Sequence, residues 1–126
     1  MVLVQFSYYS NLEEQKEVFE IRKAGLNILM SMKGDKKPVA FIEDCAVSLD
    51  HLADYTAQLK EIFKKYNTSG MFYAHASVGT LHIRPVLNMK SDEDIKNMRS
   101  ISEESFEIVK NYKGSHSGEH GDGIVR

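Results

Sequence analysis

This sequence is poor in the residue types that mark disulfide-rich, membrane-spanning or nucleic-acid-binding proteins. It has one cysteine, two prolines and no tryptophan, and its formal net charge is only −2. The single Cys45 excludes an internal disulfide and any multi-cysteine zinc or iron–sulfur site within the chain. Residues 1–6 lack the basic region of a signal peptide, and no apolar run approaches membrane-spanning length. We therefore expect a globular protein of the reducing cytoplasm with no nucleic-acid partner.

The common motifs of nucleotide and hydrolase chemistry are also absent. The chain has no phosphate-binding loop, no dinucleotide glycine fingerprint and no GxSxG nucleophile elbow. Its composition, 42% hydrophobic and 27% charged, is that of an ordinary soluble domain. The length of 126 residues predicts a single domain that covers residues 1–126.

Apolar periodicity predicts the element order β-α-β-α-β-β-α. Two adjacent strands joined by a short turn indicate antiparallel pairing, and amphipathic helices can cover one face of a sheet. We expect an α+β fold, ferredoxin-like, with a mostly antiparallel sheet and helices packed on one face. The predicted strands are residues 2–6, 39–43, 71–76 and 81–87, and the predicted helices begin at Asn11, Ser48 and Ser91. In the first helix the apolar stripe consists of Val18, Ile21, Gly25, Ile28, Leu29 and Met32. The expected inner face of the second helix consists of Leu52, Tyr55, Leu59, Ile62, Phe63 and Tyr66. In the third helix the apolar positions are Ile95, Met98, Phe106 and Val109.

A glycine-rich segment follows the third predicted helix. Glu119 and His120 stand side by side there, flanked by Gly118 and Gly121. Glycine allows backbone conformations closed to other residues and lets a ligand approach closely. Such a loop can present a carboxylate and an imidazole together, as a metal site or acid–base chemistry requires.

Two further histidines, His75 and His82, flank the turn between the third and fourth predicted strands. Imidazoles bind zinc, iron, manganese or copper, and a carboxylate commonly completes a site that keeps one position open. Glu119 is the natural third ligand, with His120 beside it as acid or base. The alternative interpretation is a pair of partly exposed histidines that only make hydrogen bonds.

Two arginines are candidates for binding a substrate carboxylate, because a planar guanidinium can hold a carboxylate through two hydrogen bonds. Arg84 lies two residues beyond His82 and therefore on the same face of its strand. Arg22 lies beside the apolar stripe of the first predicted helix. The alternatives are an ordinary salt bridge for Arg84 and a solvated side chain for Arg22.

Taken in order, these residues resemble the C-terminal domain of FAD-linked oxidases. The resemblance rests on YAHASVGTLHIRP at residues 73–85 and SGEHGDG at residues 117–123, with support from residues 22–26 and 38–44. That family includes D-lactate dehydrogenase, the glycolate oxidase D subunit and D-2-hydroxyglutarate dehydrogenase. The chain is most similar to large bacterial members in which the flavin oxidase is fused to an iron–sulfur module.

The resemblance implies a role for each candidate residue. His75, His82 and Glu119 would bind a divalent metal such as zinc, manganese or iron at the substrate site. His120 would be the catalytic base, and Arg22 would hold the carboxylate of a 2-hydroxy acid. Arg84 stands where the family often has asparagine, and it would bind the substrate carboxylate in place of that asparagine.

The resemblance also implies that the chain is a truncated substrate-binding (cap) domain. FAD is held in this family mainly by a separate domain, so we expect no oxidation by this chain alone. Its expected partners are a 2-hydroxy acid, an FAD-binding domain and an iron–sulfur electron acceptor. The alternative function is a non-catalytic ferredoxin-like module that binds a partner or forms a homo-oligomer through exposed apolar surface.

Overall fold

The computed structural model describes residues 8–121, which fall into two compact units that divide between Met32 and Lys33. In the first unit, helix α1 spans Leu12–Met30. Its N-cap is Asn11, whose side chain accepts a hydrogen bond of 2.8 Å from the Glu13 backbone N–H, as its capping preference predicts. No residue of α1 is buried, so the apolar stripe predicted for this helix is not an inner face here. The strand predicted at residues 2–6 lies outside the described residues.

The second unit confirms the α+β fold class. Its sheet contains four antiparallel strands, and two long helices belong to the same unit. The elements in chain order are β1 (Lys37–Pro38), β2 (Cys45–Ala46), α2 (Leu52–Lys65), β3 (Gly70–His75), β4 (Thr80–Leu87) and α3 (Asp92–Asn111).

Strand β4 is the centre of the sheet, and every other strand pairs with it. Strand β3 runs along most of its length, while β2 pairs with its beginning and β1 with its end. All but one of its residues are buried. An eight-residue strand with neighbours on both sides is a rigid support for side chains that project from it.

The prediction of a strand at residues 39–43 was wrong. The chain leaves β1 at Pro38, forms an irregular buried turn, and re-enters the sheet only at Cys45. The apolar residues that suggested a strand, including Phe41 and Ile42, are buried in this turn. Asp44 ends it with φ of 65°, a left-handed conformation that a continuous strand does not contain.

The core forms where α2 and α3 pack together with β4. Tyr55, Leu59, Ile62 and Phe63 of α2 are buried, as their helical spacing predicts. In α3 the prediction was correct for Val109 but wrong for Ile95, which is 46% exposed near the beginning of that helix. The face of α3 that is buried instead passes through Ile101 and Ser105.

Candidate metal centre

The β3–β4 hairpin places His75 and His82 on one face of the sheet. His82 lies opposite Tyr73, and His75 lies opposite Thr80, so the two histidines are diagonal neighbours and not a direct pair. Their ring centroids are 5.2 Å apart. The turn between them needs Gly79, which has φ of 71°, and a Cβ there would stand 1.9 Å from the Val47 carbonyl oxygen. The hairpin thus positions two imidazoles through its register and its turn.

The segment after α3 returns to the sheet and is held against β2. Ser115 and Ala46 exchange backbone hydrogen bonds of 2.9 and 2.8 Å, and Gly118 donates to the Asp44 carbonyl at 2.8 Å. A Cβ at Gly118 would stand 2.9 Å from that carbonyl oxygen. The site loop, which we define as residues 114–121, is therefore held at Ser115 by β2 and at Gly118 by the Asp44 carbonyl.

The Asp44 carboxylate is the main anchor of the site loop. Its Oδ2 accepts hydrogen bonds from the backbone N–H groups of Glu119 at 3.0 Å and His120 at 2.6 Å, and from the Ser117 hydroxyl at 3.4 Å. Asp44 is fully buried. A buried carboxylate that accepts several N–H groups orders the backbone that donates them. Asp44 therefore sets the positions of Glu119 and His120.

The two segments bring four candidate residues to one point, the Oε1 atom of Glu119. This oxygen lies 3.0 Å from Nε2 of His82, 3.6 Å from Nε2 of His75 and 3.6 Å from Nε2 of His120. Ligand atoms of His75, His82 and Glu119 all lie within 4.8 Å of one another. Around a tetrahedral zinc, with bonds of about 2.0–2.1 Å, ligand atoms are roughly 3.4 Å apart. The donor types therefore suit a divalent cation, and the 3.0 and 3.6 Å distances from Glu119 Oε1 to the two imidazoles bracket that spacing.

The four residues differ in their contact with solvent. The side chain of His82 is 8% exposed, whereas those of His75, Glu119 and His120 are 36–42% exposed. Burial lowers the pKa of His82 below its usual value, and the charges of Glu43 and Glu119 oppose that shift only in part. His82 is thus neutral near pH 7, the form of imidazole that binds a metal.

Glu43 lies behind His82 and was not among the residues that the sequence suggested. Its Oε1 is 2.7 Å from Nη2 of Arg84 and 3.5 Å from Nδ1 of His82. Its side chain is 4% exposed. Buried carboxylates are stable when they are paired, and Arg84 supplies the opposite charge.

Four of the six candidates thus meet: His75, His82, Glu119 and His120, with Arg84 behind them beside Glu43. Arg22 is an exposed residue of α1, in the first unit. Sequence reasoning missed Glu43 and Asp44, although both lie within the supporting segment at residues 38–44.

Cys45 follows Asp44 and is buried. Its thiol donates to the His116 carbonyl at 3.4 Å, so it lies where β2 meets the site loop. Burial raises the pKa of Cys45 to about 11. A thiol with so high a pKa is not a nucleophile at neutral pH.

In the part of the chain that the structure describes, no helix combines the length and apolar character needed to cross a membrane.

Comparison with known proteins matches residues 2–126 to the family described as FAD linked oxidases, C-terminal domain. The chain is similar to D-2-hydroxyglutarate dehydrogenase of Haemophilus influenzae, with 31% identity over 97% of the chain, and of Escherichia coli, with 33% identity over 86%. It is also 27% identical to glycolate oxidase subunit GlcD of Bacillus subtilis over 90% of the chain. It spans only 12%, 11% and 23% of the lengths of these three relatives.

Proposed function

Because this chain belongs to the family of FAD linked oxidases, C-terminal domain, we propose that it is the substrate-binding, metal-ligating part of an FAD-dependent 2-hydroxy-acid dehydrogenase or oxidase. The observation that carries this proposal is the convergence of three imidazole nitrogens on Glu119 Oε1, at 3.0–3.6 Å. The names of the relatives, a 2-hydroxy-acid dehydrogenase and a glycolate oxidase subunit, support the substrate class.

In this proposal His75, His82 and Glu119 hold the cation. Two neutral nitrogens and one carboxylate suit zinc, manganese or iron, and three protein ligands leave a position open for substrate. When bound, the cation would polarise the substrate hydroxyl, and FAD would accept the hydride. The partly exposed side chains of His75 and Glu119 line the side from which a small acid can enter.

His120 is the proposed base for the hydroxyl proton. Its Nε2 lies 3.6 Å from Glu119 Oε1, so a group bound at the cation would be within its reach. Its backbone is fixed by Asp44 Oδ2, which also lies 3.6 Å from its Nδ1. A carboxylate beside Nδ1 stabilises the imidazolium that forms when Nε2 takes a proton.

The substrate carboxylate is proposed to bind Arg84, Arg22 or both. Arg84 donates one hydrogen bond to Glu43, at 2.7 Å. A guanidinium has five N–H donors, so others remain for a carboxylate. For Arg22 the support is the family resemblance of residues 22–26, and its role stays a prediction.

FAD and the electron acceptor belong to the proposed whole protein. We propose an FAD-binding domain and an iron–sulfur module as partners, and no oxidation by this chain alone. The small share of each relative that the chain spans supports the proposal that FAD binding and electron transfer belong to other domains.

The second candidate function, a non-catalytic interaction module, is favoured by the apolar side chains that α1 exposes. Val18, Phe19, Ile21 and Ile28 are 42–68% exposed. A chain that forms a stable oligomer and binds neither metal nor hydroxy acid would support this function.

The metal content of the purified chain tests the main proposal. After incubation with Zn²⁺ or Mn²⁺ and removal of the excess, we expect about one ion per chain by elemental analysis. His82→Ala should lose it, because the buried donor is removed. The matched control is His51→Ala, which removes an exposed histidine outside the site and should retain the ion. Equal metal content in wild type and His82→Ala would exclude the ligand assignment.

A further inference from the structure

Resting on the metal-binding function proposed above, we propose that Glu43 is a positioning residue for the metal centre. It fixes the imidazole of His82 through Nδ1, so that Nε2 is the nitrogen that binds the cation, and Arg84 holds Glu43 in place. The family resemblance assigned no role to Glu43, and the inference comes from the contacts around His82.

His82 lies between two carboxylates, one at each ring nitrogen. Nε2 is 3.0 Å from Glu119 Oε1, and Nδ1 is 3.5 Å from Glu43 Oε1. Nδ1 is buried and makes no hydrogen bond to any described residue. A neutral imidazole has one proton, and a cation that takes the lone pair of one nitrogen leaves that proton on the other. The nitrogen that binds the cation therefore determines which of the two carboxylates faces the remaining N–H group.

Among the described residues, two sets of ligand atoms could compete for a cation, and both include His82. Glu43, His82 and His120 form one set, and His75, His82 and Glu119 form the other. In the first set, Nη2 of Arg84 already lies 2.7 Å from Glu43 Oε1, the oxygen that faces His82. A guanidinium is permanently charged, so it repels a second cation at that oxygen. The charge of Arg84 therefore directs the metal to the Glu119 side.

Burial separates the two carboxylates in the same way. Glu43 is 4% exposed and lies beneath His82, whereas Glu119 is 41% exposed and open to an entering ion. A carboxylate that accepts the second N–H of a metal-binding histidine fixes the tautomer and raises the basicity of the ligand. Loss of such a partner typically weakens metal binding 10- to 100-fold. Glu43 Oε1 lies 3.5 Å from Nδ1 without a hydrogen bond in this structure, and it is the carboxylate that would accept this N–H once a cation is bound at Nε2.

Zn²⁺ affinity of the full chain, measured by competition with a chelator, tests the proposal. We expect Glu43→Gln to bind one ion per chain with a Kd raised about 10- to 100-fold. Glu61→Gln is the matched control, because it makes the same change at an exposed glutamate. Glu119→Gln should weaken binding more than Glu43→Gln, since it alters a direct ligand.

A second measurement reads the tautomer of His82 directly and needs no variant. In the Zn²⁺-loaded wild-type chain, long-range ¹H–¹⁵N spectra should show the proton of His82 on Nδ1, so the proposal remains testable if Glu43→Gln does not fold. A proton on Nε2, or an unchanged Kd in Glu43→Gln, would overturn the role of Glu43 while leaving the metal site itself intact. Complete loss of metal in Glu43→Gln with full retention in Glu119→Gln would also overturn it, because Glu43 would then be the ligand. A wild-type chain that binds no metal would instead overturn the proposed function and this inference together.

Discussion

The two halves of the candidate site are built in different ways. The hairpin half, His75 and His82, belongs to paired strands, and His82 is buried in the central strand of the sheet. The loop half, Glu119 and His120, lies on the partly exposed site loop. Asp44 Oδ2 accepts the backbone N–H groups of both loop residues. Metal affinity should therefore depend first on the hairpin, and the placement of the base should depend on the loop and its anchor.

The largest expected effect is a loss of turnover when the base of the loop half is removed, measured in a flavoprotein that contains this chain. His120→Ala should lower kcat about 10²- to 10⁴-fold, the range for loss of a positioned general base, while metal content stays near that of the wild type. His82→Ala should lose the metal before any other property. Turnover with a D-2-hydroxy acid and elemental analysis of the same samples measure both effects.

The halves would not be functionally distinct if His120→Ala and His82→Ala lost metal and turnover together. His116→Ala is a suitable control, because it removes a histidine of the site loop that lies outside both ligand sets. It should leave kcat and metal content nearly unchanged.

The hairpin half could be predicted from the sequence because its information is local. A short apolar run at residues 71–74 locates β3, alternating apolar residues locate β4, and a short turn indicates that they pair, so His75 and His82 flank one turn and can face each other. Register decides whether they lie on the same face of the sheet and, if they do, whether they are opposite or diagonal. The result was diagonal, since His82 pairs with Tyr73.

The support of the loop half could not be predicted in the same way. Residues 39–43 look like a strand because they are apolar, yet their burial comes from a turn that ends at Asp44 in the left-handed region. The partners of Asp44 lie more than 70 positions later in the chain. Periodicity contains no information about such long-range hydrogen bonds between a side chain and the backbone.

Removal of the Asp44 carboxylate should have the next largest effect, on the loop half. Asp44→Ala removes two backbone hydrogen bonds to a charged acceptor, each worth about 1.5–3 kcal/mol. We expect the site loop to leave the sheet, with Zn²⁺ affinity reduced at least about 10-fold and Cys45 open to iodoacetamide. Chelator competition and the alkylation rate measure these changes.

Asp44→Asn is the matched variant for that experiment. Asparagine tolerates the left-handed backbone and keeps one acceptor oxygen, while the charge is lost and an NH2 group replaces the other oxygen. Its effect should fall between wild type and Asp44→Ala. If Asp44→Ala kept full affinity and a protected Cys45, the backbone hydrogen bonds of the site loop to residues 44 and 46 would be sufficient to hold it.

The smallest expected effect is a pH dependence of stability at the contact between β2 and the site loop, where Cys45 donates to the His116 carbonyl. Burial raises the pKa of Cys45 from 9.0 in the unfolded chain to about 11. Between these values the unfolded chain releases the proton and the folded chain keeps it. This contribution is therefore complete below about pH 9 and is lost as pH rises towards 11. It amounts to about 2–3 kcal/mol, at 1.36 kcal/mol for each pKa unit.

Urea unfolding at pH 8 and pH 10.5 measures this loss, and Cys45→Ala separates it from the titration of lysines and tyrosines. The wild type should lose more stability than Cys45→Ala over this pH range. When both chains also carry Asp44→Ala, the chain with Cys45 and the chain with Cys45→Ala should lose the same stability. The reason is that a thiol no longer covered by the site loop regains an ordinary pKa in the folded chain. Persistence of the full difference in Asp44→Ala would mean that the sheet alone buries Cys45. The loop half would then not contribute to the protection of the core beneath it.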